Sequence, residues 1–222
     1  MKKNTNMTWI NFILDKSGSM SGIQNDTIGG FNSYLKDLQK RKEKVLFTLS
    51  MFDTEIKRIC TNLDVKKVEP LNGNIYQPGG NTALYDAVME TVEDLHKEVK
   101  NMENKPAILV VVMTDGEENS STKHNQKCFR DFVKKSEREG NWTFVYLGAN
   151  QNSWANASQV GLAMGNVADW AADSEGTRGA FASLSANSVA FMASANAGVK
   201  NVNNFMSLAQ DNLKKNLKGG VK

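Results

Sequence analysis

Apolar residues fall into two rhythms along this chain: short solid runs of strand length, and longer segments in which they return every three or four positions. Trp9 to Leu14 is a short apolar run, broken only by Asn11, that ends at Asp15, and after a Ser/Gly turn Ile28, Phe31, Leu35 and Leu38 stand at helical spacing. The order is strand, loop, helix. Val45 to Phe52 again has strand character, and Ile56 to Cys60 follows across Asp53 and Thr54, which predicts a hairpin and hence one antiparallel strand. After a Gly/Pro/Asn-rich loop, Leu84, Val88, Val92, Leu95 and Val99 mark an amphipathic helix that opens at Thr82 and ends before Pro106.

Ala107 to Met113 is the longest uninterrupted apolar run, at seven residues. Rich in valine and bounded by Pro106 and by Asp115-Gly116, it suits a central strand buried on both faces of a parallel sheet. A polar helix near Asn125 to Glu139, a strand at Trp142 to Leu147 and a short helix around Ser153 to Val160 continue the alternation. The pattern predicts an α/β fold, a doubly wound, Rossmann-like and mostly parallel sheet with one antiparallel edge strand and helices on both faces. From Asn152 onward the composition shifts, with fourteen Ala and ten Asn in the last 71 residues. The spacing there predicts a small edge strand near Val167 to Trp170, a helix over Ser174 to Ala195 with a stripe of Phe181, Leu184, Ser188 and Phe191 on the sheet, and a last helix over Val202 to Leu217. Gly219-Gly220 reads as a frayed end. With no internal repeat, residues 1–222 read as one domain, its core at about 8–170 and a C-terminal helical segment at about 174–217.

Composition narrows the classes. The chain is 40% hydrophobic and 23% charged, which excludes wholesale disorder. No run approaches the roughly 18 apolar residues that span a bilayer. Behind Lys2 and Lys3 there is no apolar stretch of a signal peptide, so the expected address is the cytoplasm. Cys60 and Cys128 are the only cysteines and read as free thiols. The net charge of +3 is spread out, and its densest patch, Lys40, Arg41, Lys42 and Lys44, reads as a solvated helix end, since no aromatic stacking motif marks a nucleic-acid footprint. Lysine outnumbers arginine 22 to 5 and asparagine is plentiful, the usage of an AT-rich bacterial or phage genome.

Three loops carry the candidate chemistry, each following a predicted strand or opening a predicted helix. The first, Asp15-Lys16-Ser17-Gly18-Ser19-Met20-Ser21-Gly22, puts the oxygens of Asp15, Ser17 and Ser19 on one side of a tight turn for which Gly18 and Gly22 supply the freedom. The second, Gly79-Gly80-Asn81-Thr82-Ala83-Leu84, offers a Thr hydroxyl at a helix start, and the third is Thr114-Asp115-Gly116-Glu117-Glu118-Asn119. In a doubly wound sheet such loops line one solvent-open crevice at the carboxyl ends of the strands. One or two carboxylates with hydroxyls and waters make an all-oxygen site for a hard divalent cation. These groups are too few for calcium's roughly six to eight ligands without many waters, so Mg²⁺ (or Mn²⁺) is the expected ion.

The three loops together resemble the von Willebrand factor A family, whose metal-ion-dependent adhesion site is D-x-S-x-S, a distant Thr and a distant Asp. The chain has the fuller D-x-S-G-S-M-x-G, a G-G-x-T-A-L loop and T-D-G in the family's order, over about residues 8 to 150. The resemblance implies Asp15, Ser17 and Ser19 as ligands, Thr82 as a direct ligand in all states or in only one of two, and Asp115 as a direct or water-bridged ligand. It also implies a module that grips a protein partner by an Asp or Glu carboxylate, with a mobile C-terminal helix. Arg178-Gly-Ala-Phe-Ala-Ser-Leu-Ser is distantly similar to the last helix of cytoplasmic bacterial members associated with tellurite resistance.

Competing readings are specific. The Ser/Gly turns could be helix caps and Asp115-Gly116 a turn signal. A phosphohydrolase of the haloacid dehalogenase type also has an Asp after its first strand, but needs a second Asp where this chain has Ser17; Glu117 and Glu118 keep the metal-binding part of that analogy. A phage or conflict-system assembly subunit, with an incidental metal, is the third. There is no P-loop, and Met20 stands at the centre of what would be a nucleophile elbow. Asp86 either supports the site from behind or occupies a polar helix face, and His96 and His124 read as surface residues.

Overall fold

The computed structural model describes residues 7–149 and 161–210. Six strands form one sheet: β1 (Thr8–Asp15), β2 (Val45–Phe52), β3 (Ile56–Asp64), β4 (Ala107–Thr114), β5 (Trp142–Ala149) and β6 (Val167–Trp170). Their spatial order is β3-β2-β1-β4-β5-β6. All neighbours run parallel except β2 and β3. Among the described residues the long helices are α1 (Gln24–Gln39), α2 (Leu84–Val99), α3 (Gln126–Arg138) and α4 (Ser174–Asn196). The expected helix at Ser153 to Val160 lies outside the described residues. The one expected from Val202 begins later, with a 3-10 turn over Phe205–Ser207 and helical residues 208–210, and its remainder lies outside the described residues. Ahead of it the Val202 N–H donates to Thr143 Oγ1 at 3.1 Å, which ties the segment to β5.

The solid apolar runs are solid because both faces of the sheet are covered. Every residue of β1, β4 and β5 is buried. Along β4, Ala107, Leu109, Val111 and Met113 face the layer of α1 and α4, while Ile108, Val110 and Val112 face the layer of α2 and α3. Phe12 ties the first layer together, edge-on to Phe31 of α1 at 5.4 Å and stacked on Phe181 of α4 at 6.2 Å. In the second layer His96, expected at the surface, instead stacks on Trp142 with ring centroids 4.1 Å apart and bonds Ser136 at 2.9 Å. Periodicity alone puts it on a charged helix face; the partner that covers it comes from β5. No helix among the described residues is long and apolar enough to cross a membrane.

Crossing from β1 to its neighbours reverses the winding: β2 lies on one side and β4 on the other. The crevice beyond the carboxyl ends of β1 and β4 is therefore the switch point where doubly wound sheets bind ligands. Asp15 ends β1, and Asp115 is the residue after β4.

Gly30 sets how closely α1 and α4 approach, because a Cβ there would lie 2.2 Å from the Phe181 ring, while one on Gly29 meets nothing within 4 Å. Gly29→Ala should stabilise the fold by up to about 1 kcal/mol through helix propensity, whereas Gly30→Ala should destabilise it by about 1–3 kcal/mol through overpacking. Urea unfolding of the two variants checks this, and equal effects would refute it.

Candidate metal centre

The first loop leaves β1 as a short 3-10 turn over Gly18–Ile23. Its glycines are not where the backbone needs them. Neither Gly18 nor Gly22 has a positive φ, and a Cβ on either would meet nothing closer than 3.5 Å. The left-handed residue is Gly80 in the second loop (φ 72°), where a side chain would press on Asp53 and Thr54. The two loops are laced by Gly18 N–H to Gly80 O at 3.1 Å and Gly79 N–H to Lys16 O at 2.8 Å. Beside them the Lys16 ammonium is paired with Asp53.

The five candidate ligands converge. Thr114 Oγ1 donates to Asp15 Oδ2 at 2.5 Å and the Ser17 N–H to Asp15 Oδ1 at 2.6 Å. Ser19 Oγ donates to Asp115 Oδ1 at 2.6 Å and lies 3.1 Å from Ser17 Oγ. A methyl placed on Gly116 would sit 2.7 Å from Thr82 Oγ1 and 3.6 Å from both Asp15 Oδ2 and Ser17 Oγ. Three candidate oxygens from two loops and a strand end thus face one small space, and Ser19 and Asp115 adjoin it. The residues present fit a cation bound by hard oxygens. Among the described residues no three His, Cys, Asp or Glu side chains cluster, so a nitrogen–sulfur site has no material.

The crevice is less open than the sequence suggests. Asp15, Ser17 and Thr82 are buried, while Asp115 is half-buried and Ser19 exposed. Burial pushes the Asp15 carboxyl up to about 6 against the bonds from Thr114 and Ser17, and the nearby Asp115 adds to the rise. Burial also raises Asp115, opposed by the Ser19 hydroxyl. Neither has an ion-pair partner among the described residues. Tyr76, buried in the middle of the Gly/Pro/Asn-rich loop, donates to the Asp15 carbonyl at 2.7 Å.

Asp86 is neither a ligand nor a bystander on a helix face. Its carboxylate accepts from the N–H groups of Thr122, Lys123 and His124 at 2.8–3.2 Å and meets His124 Nδ1 at 3.0 Å, so His124 is held rather than loose at the surface. Burial pushes the Asp86 carboxyl upward, but these bonds outweigh it and hold the group below the usual carboxylate range. Thr114, Tyr76, Asp86 and Glu118 support the site without being candidate ligands; Thr114 and Glu118 lie in the third motif loop and Asp86 is legible as a support from behind, whereas nothing in the sequence marks Tyr76.

The fold and the three loops have counterparts among known proteins. The model of the von Willebrand factor type A domain matches residues 10–177, well over half of the chain. The chain belongs to the von Willebrand factor type A family. A search of curated proteins gives no match. Solved structures similar to this A-type domain include proximal thread matrix protein 1 from the mussel byssus with a zinc-occupied MIDAS motif (14% identity, TM-score 0.57, covering 79% of this chain and 46% of that one). The manganese-loaded TRAP protein of Plasmodium vivax is similar at 16% identity and TM-score 0.53, over 75% of this chain and 69% of that one. The ArnB paralog VWA2 of Sulfolobus acidocaldarius matches at 14% and 0.56, over 82% and 45%. At these identities the likeness is one of fold, and this A-type domain spans under half the length of the byssus protein.

The buried carboxylate gives a test without metal. The folded Asp15 keeps its proton to about pH 6 and the unfolded chain releases it near 3.8, so metal-free stability falls as pH rises between these values, by up to about 3 kcal/mol. Asp15→Asn removes that cost: in chelator it should melt several degrees above the parent at about pH 8, and the gap should close below about pH 4. A variant that melts below the parent at every pH would contradict it.

Proposed function

We propose that Asp15, Ser17, Ser19, Thr82 and Asp115 hold one divalent cation, and that the domain uses it to bind a protein partner through an Asp or Glu carboxylate. The observation that carries this reading is the convergence of Asp15, Ser17 and Thr82 oxygens on the space beside Gly116. Two carboxylates with raised pKa and no ion-pair partner among the described residues are a site in deficit of positive charge. The bound ion would offset that deficit and act as an electrophile toward an incoming anion, at a crevice where reduced solvation strengthens the attraction. Magnesium is the ion of choice, since it is satisfied by one or two carboxylates plus hydroxyl and water oxygens. The zinc and manganese of the byssus and Plasmodium structures support a divalent cation.

The domain acts by binding rather than by catalysis. A phosphohydrolase needs a general acid/base two residues after Asp15, and Ser17 stands there, bonded to Ser19. Of Glu117 and Glu118, which keep the metal-binding part of that analogy, Glu118 is engaged by the N–H groups of Tyr85, Ser120 and Ser121 and by the Ser121 hydroxyl. The cytoplasm of a bacterial or phage-infected cell is the proposed setting: Cys60 and Cys128 are free, on β3 and α3, as suits a reducing compartment.

Titration calorimetry should show one equivalent of Mn²⁺ or Mg²⁺ bound, with affinity reduced at least about tenfold in Asp115→Asn and Ser19→Ala. A partner captured from the host in Mg²⁺ should be released by chelator, and binding should fail when its contacting Asp or Glu is replaced by the amide. No ion bound at millimolar concentration, or capture indifferent to chelator, would overturn the proposal.

A further inference from the structure

The helix that Thr82 opens lacks a cap of its own. Ala83 occupies the N-cap position and has no side chain that could accept a hydrogen bond, so the first N–H groups of α2 need partners from elsewhere. The loop after Asp115 provides them: the Tyr85 N–H donates to Glu118 Oε2 at 2.9 Å and the Asp86 N–H to Ser121 Oγ at 3.1 Å. The exchange is reciprocal. Asp86 returns its carboxylate to the N–H groups of Thr122, Lys123 and His124. At Thr82 itself the N–H donates to Asn119 Oδ1 at 2.9 Å, and its carbonyl accepts from the N–H groups of Asn119 and Ser120 at 3.0 and 3.3 Å.

We infer that Glu118 and Asp86 are positioning residues that clamp the Asp115 loop to the first turn of α2, so that Thr82 and Asp115 form one preassembled half of the metal site. The inference rests on the proposed cation site and adds how it is kept in shape. The other half is the Asp15-to-Ser19 loop, joined to the first through Ser19 with Asp115 and through Thr114 with Asp15. Thr82 then has no independent motion toward the ion, because a shift of its backbone breaks bonds that also hold Asn119 and Ser120. Whatever displaces Thr82 displaces the Asp115 loop with it.

Glu118→Gln and Asp86→Asn keep shape but turn an NH₂ donor toward backbone N–H donors, so each breaks one side of the clamp. Asn32→Ala is the control, removing the bonds between Asn32 on α1 and Leu71 in the loop after β3, which involve none of the five candidate ligands and neither clamp residue. Mn²⁺ affinity and metal-free melting temperature are measured for all. The clamp predicts Mn²⁺ affinity weakened about tenfold in Glu118→Gln and Asp86→Asn, within the usual range for groups that orient metal ligands, while Asn32→Ala lowers melting and keeps the parent affinity. Ser121→Ala, which removes a single hydroxyl, should weaken Mn²⁺ binding less than the other two and serves if those fail to fold. Affinities within about twofold of the parent in the clamp variants, or a matching loss in Asn32→Ala, would overturn the clamp. A parent that binds no Mn²⁺ would overturn the proposed function instead.

Discussion

Asp15 presents a buried carboxylate at the end of β1, met by the Thr114 hydroxyl and the Ser17 N–H but by no positive side chain among the described residues. Burying an ionised carboxylate without a compensating charge is among the more expensive arrangements a protein can hold. The raised pKa expresses that cost. Gly116 lies beside this group where a side chain would crowd the Thr82 hydroxyl, and the Ser17 hydroxyl, itself bonded to Ser19, is close by. Such an arrangement fits a cation bound by hard oxygens.

The sheet makes the arrangement possible. β1 and β4 are adjacent and in register, Leu14 beside Met113, so the next residues along, Asp15 and Thr114, meet at the end where the winding reverses. Both strands are sealed on each face by helices, and close packing resists displacement of the loop ends they carry. The cost of burying this carboxylate is thus carried by strands buried along their whole length, with Phe12 of β1 packed on Phe31 and Phe181.

Most of this was legible in sequence because it depends on local rhythm. The valine-rich run predicted β4 as a two-faced central strand, the Asp53-Thr54 turn predicted the antiparallel β3, and the even spacing from Leu84 predicted α2. The three motif loops were legible because their chemistry is carried by residue type: Asp, Ser and Thr placed at strand ends and helix starts. What was missed depends on partners distant in the chain. Nothing near His96 announces Trp142, nothing near Asp86 announces the N–H groups of residues 122–124, and Gly30 looks like Gly29 until Phe181 arrives from α4. Gly18 and Gly22 mislead in the opposite sense, since a glycine in a turn invites a backbone explanation that the 3-10 geometry does not need.

The central claim is spatial, that one ion sits where the Asp15, Thr82 and Asp115 loops meet. The direct measurement is an anomalous difference map from crystals soaked in Mn²⁺, collected at the manganese edge. The account predicts a single strong peak beside Gly116, within coordination reach of Asp15, Ser17 and Ser19. A well-diffracting soaked crystal with no peak there, or with its strongest peak on another part of the surface, would contradict it.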